Sequence, residues 1–354
     1  MNVLIVKVSS IGDVIHTLPS AFYIKKVLPG SKISWVVQEK AASLLVGQNF
    51  LEKVYVLPDS FLKPKNWSKT YLVIKDLRKT KWDLIVDFQG LFKTSFLISF
   101  LNVRKIGFDR KNSREFISSF FTHEQVEPKY KNIIQKNLSL ASFATSKNFC
   151  PSILSLSKTF HLDVHQEKRQ EVDSWIQKNN LKDFLVISPN TTWESKRWPT
   201  ENWCELIKYH HGHTAVVVLG VGFGGQAKEI AEYAQKNNPS IHLAGSALRM
   251  NGEIKIAPKW DLLTVSYFLK KAKLLIAPDT GILHLADFVG VRSIGIFGPT
   301  LVSKHGPFIN SENMKNAIQV KCAHKYQKSH GSENCMKSLK ADELIKIISR
   351  VIST

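Results

Sequence analysis

Short apolar runs, each passing through a small polar loop into apolar residues at helical spacing, recur along this chain in two series, and this alternation constrains the fold most. Val3 to Val8 leads into the loop SSIGD and then into Val14, Leu18, Ala21 and Phe22: strand, loop, helix. ISWVV at 33–37, VYVL at 54–57 and WDLIVDF at 82–88, the last followed by the helix-like GLFKTSFLISFL, continue the first series. The second holds FLVISPN at 184–190, TAVVVLG at 214–220, SIHLAG at 240–245, AKLLIAP at 272–278 and VRSIGIFG at 291–298. Strands alternating with helices predict parallel sheets with crossover helices on both faces. The expected fold class is therefore α/β, with two Rossmann-like domains facing a central cleft.

The 354 residues suit two domains at about 150 residues each. A helical stretch from Lys129 to Lys147 is followed by a segment without period, which places the linker near 150–165 and the domains at 1–160 and 161–340. Residues 341–354 carry apolar side chains at helical spacing and should dock as a C-terminal helix. SALRMNGEIKIAPKW, between Gly245 and Asp261, reads as an inserted loop or flap.

Charge narrows the partners. The chain carries 49 Lys and Arg against 29 Asp and Glu, a net charge of +20, with many of the bases between Lys63 and Arg114. Nucleic acid, an anionic membrane surface, a polyanionic substrate and a general basic bias all fit such an excess. Four Cys in so long a chain do not make a disulfide scaffold and suit a reducing compartment, the cytoplasm by default. The apolar start is too short for a signal segment, and no stretch reaches the roughly 18 apolar residues of a membrane span.

Several motifs bear on chemistry. GVGFGG at 220–225 satisfies G-x-G-x-x-G, but no acidic residue follows where a dinucleotide site needs one for the ribose, so a tight strand-to-helix turn is the better reading. No P-loop, H-E-x-x-H or paired C-x-x-C occurs. Cys322, His324, His330 and Cys335 form a late cluster whose spacing matches no standard metal site; a capped loop is the plainer reading. In SSIGD, Gly12 permits a tight turn at the carboxyl end of the first strand. Asp13 then serves either as a base that takes a proton from a sugar hydroxyl or as a helix N-cap. In PDTGILHLAD, Asp279 and Thr280 end a strand and Gly281 opens a helix whose free N–H groups suit phosphate, with His284 one turn in. NTTWESKRWP sets Thr191, Thr192 and Lys196 on a third loop able to clasp a pyrophosphate. One carboxylate and several phosphate donors at strand ends describe nucleotide-sugar transfer better than hydride chemistry.

The chain resembles the lipopolysaccharide ADP-heptose glycosyltransferases, most closely the type I members that add the first heptose of the inner core. VLIVKVSSIGDVIHTLPS, WVVQE, DFQGLFKTS, GFDRKNSRE, KRWPTENW and DTGILHLAD with IGIFGPT carry the likeness, from Met1 to about Thr300. The resemblance implies a GT-B fold and an inverting transfer needing no metal or other cofactor. It makes Asp13 the base and has Lys196, Thr191 and Thr192 holding the diphosphate. Asp279, Thr280, Gly281 and His284 complete the donor site, with Asp279 alternatively meeting heptose hydroxyls. Gln226 stands where an acidic residue would meet the ribose. Ser10, Gly12, Lys93 and Arg114 fall on the acceptor side. The implied substrates are ADP-heptose and lipid A bearing Kdo sugars, and the implied location is peripheral, on the anionic cytoplasmic face of the inner membrane, with Lys63 to Lys81 as anchors. The chain departs from the family near residue 60, where PDSFLKPKNW replaces an arginine-rich loop, and CMKSL is similar to type II members, so a type II acceptor or another donor sugar is the alternative. A basic nucleic-acid binder using Trp67, Tyr71 and Trp82 is the reading from another class; no nucleic-acid module supports it, and nucleic acid is not an expected partner.

Overall fold

The computed structural model describes residues 1–146, 161–210, 214–220, 224–237, 242–244, 247–249, 254–322 and 334–353. They divide into two compact units, Met1–Asp163 and Val164–Thr354.

The first unit is built on β1 (Asn2–Val6), β2 (Lys32–Gln38), β3 (Lys53–Leu57), β4 (Leu84–Asp87), β5 (Lys105–Phe108) and β6 (Glu124–Val126). Their spatial order is β3-β2-β1-β4-β5-β6, with every pairing parallel. Its helices are α1 (Ile11–Val27), α2 (Glu39–Ala42), α3 (Trp67–Leu77), α4 (Phe92–Ser99) and α5 (Ile133–Ala144). The chain moves one way across the sheet from β1 to β2 and the other way from β4 to β5, so right-handed crossovers put α1 and α4 on opposite faces. Leu77 of α3 and Leu97 and Ile98 of α4 share one buried cluster with Leu4, Val6, Tyr55 and Ile85 of the sheet. On the other face α1 meets α5, where the buried Asn137 amide donates to the His16 carbonyl and to Thr17 Oγ1, both at 3.1 Å.

The second unit repeats this order. β7 (Phe184–Ile187), β8 (Ala215–Val218), β11 (Ile254–Ile256), β12 (Leu274–Pro278), β13 (Ser293–Phe297) and β14 (Ile318–Gln319) form a second parallel sheet ordered β11-β8-β7-β12-β13-β14. A separate antiparallel pair joins β9 (His242–Ala244) to β10 (Ala247–Arg249). The helices are α6 (Gln166–Lys178), α7 (Thr200–His210), α8 (Gln226–Asn237), α9 (Leu262–Leu269), α10 (Gly281–Phe288), α11 (Val302–His305), α12 (Ser311–Lys315) and α13 (Ala341–Ser353).

Two expectations change here. SIHLAG supplies a strand outside the main sheet, and the edge position beside β8 is taken by Ile254–Ile256, inside the stretch that reads as an inserted flap. A three-residue strand with Lys255 at its centre leaves almost no periodic signal. The sulfurs of Cys322 and Cys335 are joined in a disulfide, which removes them as metal ligands; His324 and His330 lie outside the described residues. Among the described residues no His, Cys, Asp or Glu cluster is able to hold a metal. Cys204 is free and buried, and burial pushes its thiol up to about 12.

Leu344, Ile345, Ile348 and Val351 line one side of α13 and are buried with Trp203, Leu206 and Ile207 of α7. The Trp198 indole N–H, from the same cluster, donates to the Leu339 carbonyl at 2.9 Å just ahead of α13. Replacing Ile348, fully buried, with Ala should therefore lower unfolding free energy by about 3 kcal/mol, read from urea denaturation followed by circular dichroism. A loss under about 0.5 kcal/mol would mean that the helix does not depend on this contact.

Candidate active site

In each sheet the first strand lies beside the fourth, and there the chain reverses its direction of travel across the sheet. Open α/β sheets hold ligands outside the carboxyl ends of strands at such a point. Ser10, Gly12 and Asp13 follow β1, Lys93 follows β4, Thr191, Thr192 and Lys196 follow β7, and Asp279, Thr280, Gly281 and His284 follow β12, whereas Arg114 follows β5 and Gln226 follows β8.

In the first unit Ser10 caps α1 and Asp13 is the third helical residue. The Ser10 N–H and hydroxyl donate to Asp13 Oδ2 at 2.9 and 3.2 Å, and Arg114 Nη1 donates to the same oxygen at 3.3 Å. Among the described residues no hydrogen bond reaches Oδ1. The two roles read for Asp13, cap and base, are thus compatible: one oxygen serves the helix and the other stays open on a side chain that is 23% exposed. Gly12, expected to make a turn, lies instead in the first turn of α1 and has no left-handed φ. Lys93 is the second residue of α4, its ammonium 5.6 Å from the Phe61 ring centre.

The loop after β4 holds this arrangement together, and no role for it was read from the sequence. Asp87 Oδ1 accepts the Gln89 and Gly90 N–H groups at 2.8 and 3.1 Å, while Oδ2 accepts from Ser95 at 3.0 Å. Gln89 Oε1 in turn accepts the N–H groups of Val8 and Ser9, and the buried Lys7 ammonium donates to the Phe88 carbonyl at 2.9 Å. Gly90 has φ +61°, and a Cβ there would lie 3.1 Å from the Arg114 nitrogen. Glycine is what lets the Arg114 segment approach, and the Glu115 N–H bonds the Gly90 carbonyl at 2.9 Å.

Burial pushes the Asp13 carboxyl up, but the Lys7 charge, the Ser10 N–H, and the charges of Arg114 and His16 outweigh it and hold the group well below the usual carboxylate range. Lys7 is lowered by burial, an effect only partly offset by Asp13 and Asp87. The result is an ionised Asp13 backed by a buried cation.

In the second unit Lys196, Asp279 and His284 come together. The Lys196 ammonium donates to Asp279 Oδ2 at 2.6 Å and to the Asp279 carbonyl at 3.2 Å, and His284 Nε2 lies 2.9 Å from Oδ1. Burial raises Asp279, yet the His284 bond and charge and then Lys196 hold it far below the usual range. Its charge is therefore spent on its neighbours, which removes the repulsion a bare carboxylate would offer a phosphate. Thr280 caps α10, and its buried hydroxyl has no hydrogen-bond partner among the described residues; Gly281 follows as the first helical residue. Thr191 Oγ1 donates to the Trp193 carbonyl at 2.8 Å, and Thr192 is exposed. Gln226 is buried, with its amide nitrogen on the Trp198 carbonyl and 3.4 Å from Thr200 Oγ1.

Asn190 is the residue the sequence did not single out. Its amide nitrogen donates to the Gly220 and Gly224 carbonyls at 2.9 Å each, and its oxygen accepts the Ala227 N–H at 2.8 Å. Gly220, Gly224 and Gly225 all have positive φ, so the glycine motif is a strand-to-helix turn latched by Asn190; residues 221–223 lie outside the described part.

The model of glycosyltransferase family 9 (heptosyltransferase) matches residues 71–336, well over half of the chain. The chain belongs to this family. It is a glycosyltransferase of the GT-B class, with a Rossmann-like sheet in each unit. Among the curated family 9 relatives, lipopolysaccharide heptosyltransferase 1 of Campylobacter coli is 25% identical over 361 residues, covering 99% of both chains. The protein of the same name from Escherichia coli K12 is 28% identical over 312 residues, 85% of this chain and 88% of its own. Of the solved structures, the E. coli heptosyltransferase WaaC with ADP superposes with a TM-score of 0.75 at 21% identity, covering 99% of this chain and 100% of its own. A family 9 glycosyl transferase from Veillonella parvula gives 0.76 at 17%, covering 99% and 97%.

The ionised Asp279 makes stability depend on pH. Its carboxyl is depressed in the folded state, so the contribution of its charge is present above the unfolded Asp pKa of about 3.9 and is lost as pH falls toward the folded value. Asp279→Asn should cost about 3 kcal/mol at neutral pH, and the gap to the unaltered enzyme should stay flat above about pH 5 and shrink below about pH 4. Urea denaturation across this range measures the gap; one independent of pH would show that the charge plays no part.

Proposed function

We propose that this enzyme transfers heptose, with inversion, from ADP-heptose to the Kdo region of lipid A in synthesis of the lipopolysaccharide inner core. Family membership and the likeness, over 85% or more of this chain, to proteins named lipopolysaccharide heptosyltransferase 1 support the donor and the pathway. The observation that carries the mechanism is the division of labour on Asp13, with Oδ2 fixed by three donors and Oδ1 open.

In this reading Oδ1 accepts the proton of the acceptor hydroxyl while that oxygen forms its bond to the anomeric carbon of the heptose. The bond from that carbon to the diphosphate breaks, and ADP leaves with the electron pair. A carboxylate as weakly basic as Asp13 does not deprotonate a free sugar hydroxyl; it takes the proton as the new C–O bond makes the hydroxyl acidic. On the donor side the Lys196 ammonium, the Thr280 hydroxyl and the N–H groups opening α10 meet the charge that grows on the departing diphosphate. Asp279 and His284 set the position of Lys196 and keep the carboxylate from opposing that charge. Thr191 and Thr192 lie on the same loop as Lys196 and are placed on the donor, as is Gln226 through the loop it braces.

Arg114, Lys93 and Ser10 are assigned to the acceptor, whose carboxylates and phosphates suit cationic partners. Such an acceptor is lipid-borne, so the enzyme works peripherally on the cytoplasmic face of the inner membrane. No helix among the described residues is long and apolar enough to cross a membrane.

Asp13→Ala should reduce turnover by about a thousandfold while ADP binding, measured by calorimetry, stays within about twofold of the unaltered enzyme. Product is read by mass spectrometry of a Kdo-bearing acceptor supplied with ADP-heptose. Undiminished turnover would overturn the base assignment.

A further inference from the structure

We propose that the outer side of α3 and α4, together with the short helical turn Phe116–Phe121, is the surface by which this enzyme lies on an anionic bilayer. The inference deepens the reading above and rests on it for a lipid-borne acceptor. The inner sides of α3 and α4 enter one buried cluster, so their outer sides look away from the same face of the sheet. A solvent-facing helix surface is ordinarily charged. Here α4 carries Lys93 as its single charged residue, and Phe92, Phe96 and Phe100, four apart, are each between 44% and 47% exposed. Trp67 and Tyr71 of α3 are 61% and 63% exposed, and Phe120 of the turn is 60% exposed. The turn belongs to the same surface, since the Phe121 and Phe92 rings are 5.7 Å apart.

Charge identifies the occupant. Residues 61–120 hold thirteen Lys and Arg against five Asp and Glu. Cations also sit on the rings themselves: Arg78 is 5.5 Å from the Phe100 ring centre and Arg110 is 4.6 Å from that of Phe120. Rings that enter the boundary between headgroups and acyl chains, with long cationic side chains beside them reaching lipid phosphates, are what an anionic interface selects. A symmetric pair of copies would oppose this patch to itself, base against base, and so repel. The bilayer satisfies both the aromatic and the cationic part of the surface.

The test uses the full chain and vesicles of phosphatidylcholine, alone or mixed with phosphatidylglycerol, read by co-sedimentation. The unaltered enzyme should pellet with the mixed vesicles and far less with phosphatidylcholine alone. A triple variant, Phe96→Ser with Phe100→Ser and Phe120→Ser, should bind the mixed vesicles at least about tenfold more weakly, because three exposed rings no longer leave water. Its circular dichroism, its thermal midpoint and its rate on a water-soluble Kdo acceptor without acyl chains should match the unaltered enzyme. Undiminished binding by the triple variant, or equal binding to both vesicle types, would overturn the proposal. So would sedimentation velocity showing a dimer that the triple variant disperses without any change in vesicle binding. Sedimentation needs no donor, so the expected binding pattern without any product from ADP-heptose would reject the transfer reading and support the surface.

Discussion

The pairing of first strand with fourth in each sheet is the constraint on which the rest of the molecule depends. Val6 lies opposite Asp87 in the first sheet, and Ile187 lies beside Ile276 in the second. These registers bring together loops that are about eighty residues apart in the chain: Lys7 donates to Phe88, and Lys196 donates to Asp279. Neither contact is local, so each exists only once the sheet has formed. A slip of one residue in a central strand would turn its core side chains to the other face and carry the loop chemistry with it. Strands buried on both faces resist that slip, and β1, β4, β7 and β12 are almost wholly buried.

Both candidate sites solve the same electrostatic problem, an anion held ionised in a poorly solvated place, and they solve it differently. Asp279 is nearly enclosed and keeps its charge because two neighbouring side chains touch it. Its environment is fixed, which suits a group that positions another. Asp13 keeps its charge through a buried lysine, one backbone N–H, an arginine that is itself 57% exposed, and His16. Of these, the arginine is the one able to swing away at little cost, since ion pairs so exposed contribute about 0–1 kcal/mol.

Parallel sheets were legible because strands covered on both sides read as unbroken apolar runs, as in VLIVKV and LLIAP. Three short strands were not: KIGF (β5) and EQV (β6) carry charged or polar residues within three or four positions, and β11 is three residues centred on a lysine. The site was half legible. Asp13, Lys196, Asp279 and His284 stand out because charged residues at strand ends have a chemical reading. Asp87, Gln89, Gly90 and Asn190 do not, because their work is to bond backbone groups that sequence spacing does not bring near. Gly90 is the sharpest case, since its need for φ +61° and for the absence of a Cβ comes from the nearness of Arg114, twenty-four residues on. Asp287 is similar: it sits in the same motif as Asp279, yet it accepts three N–H groups from residues 308–310 and the Asn313 amide, holding a loop in place.

On the proposed reading, the looseness of the Arg114 contact has a consequence for catalysis. A carboxylate bonded to arginine is a poor base, and an enzyme that kept it so throughout would forfeit rate. An acceptor that brings its own carboxylates offers the guanidinium a competing partner with the same two-oxygen geometry, and Arg114 is exposed enough to take it. On that reading, Arg114 turning to the acceptor would take from Asp13 one of the charges that depress it, and the basicity of Asp13 would rise when a hydroxyl is beside it. Lys7, buried and tied to the Phe88 carbonyl, stays behind, so the carboxylate remains ionised instead of taking a proton from solvent. A neutral acceptor would leave the Asp13–Arg114 pair intact. Discrimination would then appear in the chemical step as well as in binding, which ties the preference for an acidic acceptor to the base itself.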